Sequence, residues 1–404
     1  MNKIIKNKEL NNFITKFYLF KLFEIMGFII PFVAVMFDAN GLTATQIAIC
    51  MMSARIVQTI TEIPSGAIAD KYSRKYVLVV SQLFAVFAYI FWYFMPYFNG
   101  YLLGYICFGL GMSLSSGTVQ AFIYDELVKF QSRDLFERVQ GRAGALTSVG
   151  ILIASLIASV LIKLGLDFQD LILLTILTTI VSISILLTIK PAKKQKDVDE
   201  PENVLSYMQT LKEGIKYSFS HKTVFKLILF VTFTDFINIG ILEYSEIFYN
   251  EVLDNFSKVA IAFGLVEIAF IVGNFFAEYL KRFSTRELIV LYCIAACFDV
   301  LAYTIYNKFS ILIVIANSMI ICCIFVNMLG RINNFIPEKI RATTLSVKGF
   351  IESVGTFITL VCFGFVVDYY SSYRIGFLTF AYIYIIGSFV FLILLSRDKE
   401  IKNS

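Results

Sequence analysis

Twelve apolar stretches, each long enough to cross a bilayer as a helix, occupy almost the whole of this 404-residue chain. A hydrocarbon core about 30 Å thick takes roughly 20 apolar residues at about 1.5 Å of helical rise each. The pattern predicts spans at about 13–37, 46–69, 76–97, 101–127, 143–165 and 168–190. A second set follows at about 223–249, 257–280, 286–306, 309–329, 342–367 and 373–395. A long charged stretch separates the sixth from the seventh. The chain therefore reads as an all-α integral membrane protein, with 12 transmembrane helices in two six-helix halves, 1–190 and 223–404, joined by a linker over 191–222. Hydrophobic residues make up 58% of the chain and charged ones 16%, too little polar surface to cover a water-soluble fold, so lipid is the solvent.

The net charge of +5 takes its meaning from where the basic residues sit. With both termini cytoplasmic, the inner segments hold Lys3, Lys6, Lys8, Lys71, Arg74, Lys75, Lys129, Arg133, Arg138 and Arg142. The linker lysines from Lys190 to Lys226 add to these, as do Lys281, Arg282, Arg286, Arg331, Lys339 and Arg341, and finally Arg397, Lys399 and Lys402. The outer loops hold Lys163, Lys258, Lys308 and Arg374. This is the positive-inside pattern of a multi-pass protein in the cell membrane, and it makes the basic charge a topology signal rather than a nucleic-acid site. The seven cysteines fall in or beside spans, without zinc-site spacing, and are expected to be packing residues. The N-terminus lacks the short apolar core and cleavage site of a signal peptide, so the first span is expected to stay as a membrane helix. In the linker, Val204, Met208, Leu211, Ile215 and Phe219 recur at helical spacing around Lys212, Glu213 and Lys216. They predict a short amphipathic helix, either on the inner membrane face or packed on the bundle ends.

The halves echo one another. Arg142-Ala143-Gly144-Ala145-Leu146-Thr147 opens span five, and Arg341-Ala342-Thr343-Thr344-Leu345-Ser346 opens span eleven. More faintly, Ser65-Gly66-Ala67-Ile68-Ala69-Asp70 lines up with Gly273-Asn274-Phe275-Phe276-Ala277-Glu278. Repeats of this kind place substrate sites between halves near the bilayer midplane, as in transporters.

Between spans two and three the chain reads Gly66-Ala67-Ile68-Ala69-Asp70-Lys71-Tyr72-Ser73-Arg74-Lys75. This segment resembles the loop motif of the major facilitator superfamily, with the Gly, the Asp four residues on and the later basic pair all in place. Ser73 replaces the usual Gly, which bears on the turn but not on the charges. The resemblance implies the superfamily's fold and a cytoplasmic gate of Gly66, Asp70, Arg74, Lys75, Asp125 and Arg142. In that gate Gly66 gives a close helix contact, while Asp70 faces the start of helix eleven near Pro337-Glu338 and pairs with Arg142. Gly117-Thr118-Val119-Gln120-Ala121-Phe122-Ile123-Tyr124-Asp125-Glu126-Leu127 looks like a stretch of drug-efflux-like bacterial members. Span five carries no proline in Ser148-Val149-Gly150-Ile151-Leu152-Ile153-Ala154-Ser155, where drug:proton antiporters usually have a Gly-Pro motif.

A charge at mid-bilayer costs about 2.5–3.5 kcal/mol or more, so a buried ionisable residue needs a partner or a wet cavity. The candidates for substrate binding and proton coupling are Glu24, Arg55, Glu62, Asp235 and Glu267; Asp299, and Lys348 with Glu352, are further intramembrane charges. Arg55, Thr59, Glu62 and Gly66 share one helical face, expected to turn from lipid. Glu24 and Arg55 sit at similar depth and are expected to pair. Lys348 and Glu352, at i and i+4, are expected to neutralise each other. Asp235, with no basic residue one turn away, is the expected proton carrier.

These features lead to a secondary transporter that works by alternating access, with proton-coupled efflux of a drug-like or amphiphilic compound as the leading expectation. Proton-coupled import is the alternative, and a non-transporting receptor or scaffold is a third class. The expected partners are a small-molecule substrate, protons and the lipid bilayer, without nucleic acid, and the protein is expected to act as a monomer. No cofactor or metal is expected, nor an enzyme. The sole histidine, His221, lies in the linker and no phosphate-binding loop is present.

Overall fold

A computed structural model describes residues 2–190, 212, 215–337 and 340–396. Every regular element among them is a helix. The chain divides into two compact units, Met1–Lys196 with Asn255–Gly264, and Asp197–Asp254 with Leu265–Ser404. Val204, Met208, Leu211 and Glu213 of the expected amphipathic helix lie outside the described residues, as do Glu338 and Lys339; residues 215–220 are helical.

In the first unit the helices are α1 (Asn2–Ile25), α2 (Val33–Ala39), α3 (Ala44–Lys71), α4 (Arg74–Phe94), α5 (Phe98–Ser115), α6 (Thr118–Lys129), α7 (Phe136–Lys163) and α8 (Phe168–Thr188). Eight helices make six spans because spans one and four are interrupted. Pro31 explains the first break, since it has no N–H and its ring crowds the carbonyl of Gly27 four residues earlier. The freed backbone groups find side chains on α8. The Ile29 N–H donates to Thr175 Oγ1 at 3.3 Å, and Thr178 Oγ1 donates to the Met26 carbonyl at 2.8 Å. At the second break Gly117 takes φ +69°, a left-handed conformation open to glycine at little cost.

Glycines on α5 set the closest helix approaches. A Cβ built on Gly109 would lie 2.5 Å from the Ala54 carbonyl oxygen of α3, and one on Gly111 would lie 2.9 Å from the Ser81 carbonyl oxygen of α4. Ser65 and Ser113 share a 2.8 Å hydrogen bond across the α3–α5 seam. The close contact expected at Gly66 is not made, because a Cβ there would meet nothing within 4 Å. The packing falls on another face of α3, through Ala54, Val57 and Ser65. Phe13, Phe17 and Phe20 of α1 fill the unit's core against Leu78, Phe122, Leu127 and Leu186.

The second unit holds α9 (Lys222–Leu242), α10 (Ser245–Leu253), most of α11 (Phe256–Phe276), α12 (Thr285–Ile305), α13 (Ser310–Phe335), α14 (Arg341–Tyr370) and α15 (Tyr373–Ser396). Here aromatic rings seat on glycines: Phe236 of α9 covers Gly355 of α14, and Phe233 covers Gly387 of α15. Stacked pairs, Tyr244 with Phe363 at 4.5 Å and Tyr303 with Phe377 at 4.8 Å, tie the helices further.

Eleven helical stretches among the described residues are long and apolar enough to cross a membrane. The sequence reading of twelve spans differs by α3, which has the length at 28 residues but carries Arg55, Glu62, Asp70 and Lys71.

Candidate functional site

The second unit concentrates buried charge where α9 meets α14. Lys348 Nζ donates to Asp235 Oδ2 at 3.0 Å and to Glu352 Oε2 at 2.6 Å, and lies 5.2 Å from the centre of the Phe325 ring of α13. Side-chain exposure is 8% for Lys348, 11% for Asp235 and 26% for Glu352, so one cation serves two carboxylates in largely apolar surroundings. The local pairing of Lys348 with Glu352 is present, but it is half of the arrangement. Asp235 does have a basic neighbour, supplied by another helix rather than its own. Beside it, Asn238 Nδ2 donates back to the Thr234 carbonyl at 2.6 Å.

Asp299 of α12 is 5% exposed and accepts one hydrogen bond, from Asn317 Nδ2 of α13 at 2.7 Å. Glu267 of α11 is half-buried, without an ion-pair partner among the described residues, and in electrostatic reach of Tyr249. Arg331 donates to Thr285 Oγ1 at 3.0 Å and to the Phe283 carbonyl, binding α13 to the start of α12.

In the first unit Glu24 sits one residue before the end of α1. It pairs with Lys21 on its own helix, and its Oε1 accepts from Gln82 Nε2 of α4 at 2.8 Å. The expected Glu24–Arg55 ion pair is absent, since Arg55 projects from the exposed face of α3. Thr59, Glu62 and Gly66 share that exposure, and Glu62 accepts from Ser116 Oγ at 3.3 Å, beside the α5–α6 break.

At the far end of α3 the charges pair differently from expectation. Arg74 pairs with Asp125 of α6 and also donates to the Ala121 carbonyl at 3.2 Å. Asp70 and Arg142 are both exposed and do not pair with each other. Lys75 is 4% exposed and donates to the Leu187 and Ile189 carbonyls at 2.6 and 2.5 Å. Lys16 reaches the Thr188 carbonyl at 3.1 Å. Two lysines thus cap the C-terminus of α8, where unpaired carbonyls and the negative end of the helix dipole attract cations. The second basic residue of the loop motif is a structural cap in this unit. Among the described residues no cluster of His, Cys, Asp and Glu could hold a metal ion.

Sequence reasoning missed the role of Lys75, whose partners lie more than 100 residues on and leave no local signal. It also missed Asn317, a single Asn in an apolar run. The Lys348–Asp235 contact did have a signal, since both residues lie well inside their spans.

The model of the Major Facilitator Superfamily matches residues 19–330. An uncharacterized MFS-type transporter, YxaM, of Bacillus subtilis (strain 168) is 20% identical over 333 residues, covering 80% of each chain. Among solved structures, the nucleoside transporter NupG aligns with a TM-score of 0.76 at 14% identity, over 97% of this chain and 99% of that one. A bacterial homolog of the human lysosomal transporter Spinster, inward-facing, gives 0.73 at 14% identity over 97% of both chains. A D-xylose-proton symporter gives 0.66 at 11% identity, over 96% and 97%. At these identities the likeness is one of fold, whereas the family match spans well over half of the sequence and agrees with the helical architecture. The chain belongs to the major facilitator superfamily and is a multi-pass membrane transporter rather than an enzyme.

Proposed function

We propose that this chain is a proton-coupled secondary transporter that moves a small amphiphilic molecule out of the cell by alternating access. Its moving bodies are the halves 1–190 and 223–404, its termini are cytoplasmic, and it works as a monomer in the cell membrane. The observation that carries this reading is the Lys348 ammonium shared by Asp235 and Glu352. With both carboxylates ionised the trio holds one uncompensated negative charge in apolar surroundings, and one proton cancels it. A buried charge of this kind is costly to keep, which makes it a candidate for the working part of a transporter. Proton arrival frees Lys348 from one partner, which changes the α9–α14 contact and so the relative stability of the transporter's two states.

The exposed row Arg55, Thr59 and Glu62 on α3 supports a water-accessible path, since charges at that depth do not face lipid. The aromatic content, 41 Phe and 22 Tyr, suits an amphiphilic cargo. Outward movement rests on the likeness of 117–127 to efflux-type members. Uptake is the competing direction, favoured by the D-xylose-proton symporter among proteins of like fold.

The test is flux in proteoliposomes under an imposed pH gradient, with ethidium as the first amphiphilic probe and a compound panel behind it. Gradient-driven flux is expected in the native protein and is lost in Asp235→Asn, while exchange without a gradient persists. Undiminished gradient-driven flux in Asp235→Asn rules out the coupling role. Accumulation in the direction of uptake rules out efflux.

A further inference from the structure

The buried carboxyl of Asp299 takes no part in the Asp235–Lys348–Glu352 cluster, and it meets a carboxamide that is only half used. Asn317 Nδ2 of α13 donates to Asp299 Oδ1 at 2.7 Å. Asp299 is 5% exposed and Asn317 2%. The Asn317 Oδ1 atom is buried and has no hydrogen-bond partner. A carboxamide carries its donor and its acceptor side by side on one planar group, so the group missing next to the N–H already in use is a single O–H.

The charges around Asp299 point the same way. Its helix, α12, packs on α13 and α15. The charged side chain of α13, Arg331, is committed to Thr285 Oγ1 and the Phe283 carbonyl at the opposite end of α12. That of α15, Arg374, is committed to the Tyr303 and Thr304 carbonyls. On α12 itself, Arg286 and Glu287 lie in the first turn, far from Asp299. The remaining titratable groups facing it are the phenols of Tyr303, on its own helix, and Tyr384 of α15. Asp299 has no ion-pair partner among the described residues, so as an anion it would exchange its water shell for one amide N–H. It would also add acceptors beside an amide oxygen that already lacks a donor. One proton removes both deficits.

We propose that Asp299 binds a structural proton: it is a neutral carboxylic acid that accepts from Asn317 Nδ2 and donates to Asn317 Oδ1, closing a ring that clamps α12 to α13. Asp299 lies in the last third of α12 and Asn317 in the first third of α13. The ring therefore ties one end of this helix pair, while Arg331 ties the other. Losing the proton would strand an anion and an amide oxygen together, so Asp299 keeps it throughout the transport cycle. The driving proton is left to the Asp235 cluster, a step that rests on the proposed coupling role of Asp235, whereas the ring does not.

Infrared spectroscopy on the purified full chain reads the proton directly, because a protonated carboxyl has a C=O band that a carboxylate lacks. The native protein is expected to show such a band at neutral pH and to keep it at alkaline pH. Asp299→Asn removes the band, but its amide can close the same ring, so Tm and gradient-driven flux are expected to match the native protein. Asn317→Leu is expected to shift the Asp299 band to higher frequency, as its hydrogen bonds are lost, and to lower Tm by several degrees. Asp299→Leu should lower Tm to a similar extent. The proposal is overturned if Asp299→Asn removes no band at neutral pH, if Na⁺ abolishes the band at constant pH, or if Asp299→Asn lowers Tm as far as Asp299→Leu. Loss of gradient-driven flux in Asp299→Asn with Tm unchanged also overturns it, since the proton would then leave during transport. Undiminished gradient-driven flux in Asp235→Asn, with the Asp299 band present, removes the coupling reading and leaves the structural proton in place.

Discussion

Replacing Lys348 with Met keeps the length and apolar stem of the side chain and removes its charge, leaving Asp235 and Glu352 facing each other across an apolar site. At an effective dielectric constant of about 20, the separations of 3.0 and 2.6 Å give gross attractions of about 5.5 and 6.4 kcal/mol. Desolvation of three ions and repulsion between the carboxylates offset most of this. Removing one member of a buried ion cluster nonetheless costs about 3–5 kcal/mol, because the charge left behind is uncompensated. For a unit of this size that lowers Tm on the order of 10 °C.

A thiol-reactive fluorescent dye suits the measurement in detergent, since Cys293 and Cys323 are 4% and 5% exposed and report opening of this unit. The double variant Lys348→Met with Asp235→Asn should recover at least half of the loss, because the leftover charge has then gone. Acidification should also narrow the gap between Lys348→Met and the native protein, since protonated carboxyls need no cation. A Lys348→Met protein as stable as the native one, or a double variant no better than the single, would refute the reasoning.

Two further outcomes follow from the first unit. Gly109→Val places a Cβ 2.5 Å from the Ala54 carbonyl oxygen and 2.9 Å from the Val57 Cβ, and backbone cannot yield as a flexible side chain can. The cost should be at least about 1–3 kcal/mol, seen as lost monodisperse yield on size-exclusion chromatography, whereas Gly66→Ala, with nothing within 4 Å, is expected to be neutral. Thr59→Cys, made in a cysteine-free background, should react with a membrane-impermeant maleimide because its face of α3 is exposed, while Met52→Cys, at a site 3% exposed, should not. Equal protection of both would place the Arg55–Glu62 row out of reach of water.

The number and length of the spans were legible because bilayer thickness converts directly into a run of apolar residues. α3 was legible for the same reason, even though its charges exclude it from a purely apolar criterion. Interruptions were less so: Pro31 and Gly117 are visible in the sequence, but only the positions of Thr175 and Thr178 show how the opened backbone of span one is satisfied. Charge partners were the least legible part. Depth alone suggested that Glu24 meets Arg55, yet depth does not fix rotation about a helix axis, and rotation turns Arg55 outward and leaves Glu24 to Lys21 and Gln82. Asp235 and Lys348 also share depth, and in their case the glycine-seated packing of α9 on α14 turns both inward.

The two units carry their polar load in different ways. In the first, the opened backbone, the α8 carbonyls and Glu24 each have a partner from a neighbouring helix, and the row on α3 is exposed. In the second, Asn317 Oδ1 and the hydroxyls of Tyr292, Tyr384 and Ser388 are buried without well-formed hydrogen bonds. Thr234 lies beside the Tyr292 hydroxyl and Asn238 beside that of Tyr384, so the shortfall falls on Asn317 Oδ1 and the Ser388 hydroxyl, at about 1–3 kcal/mol each. On the proposed mechanism, a proton arriving at Asp235 releases Lys348 within this unit. The conformational equilibrium is then biased from within the second unit, whereas the buried breaks and helix end of the first are already paired.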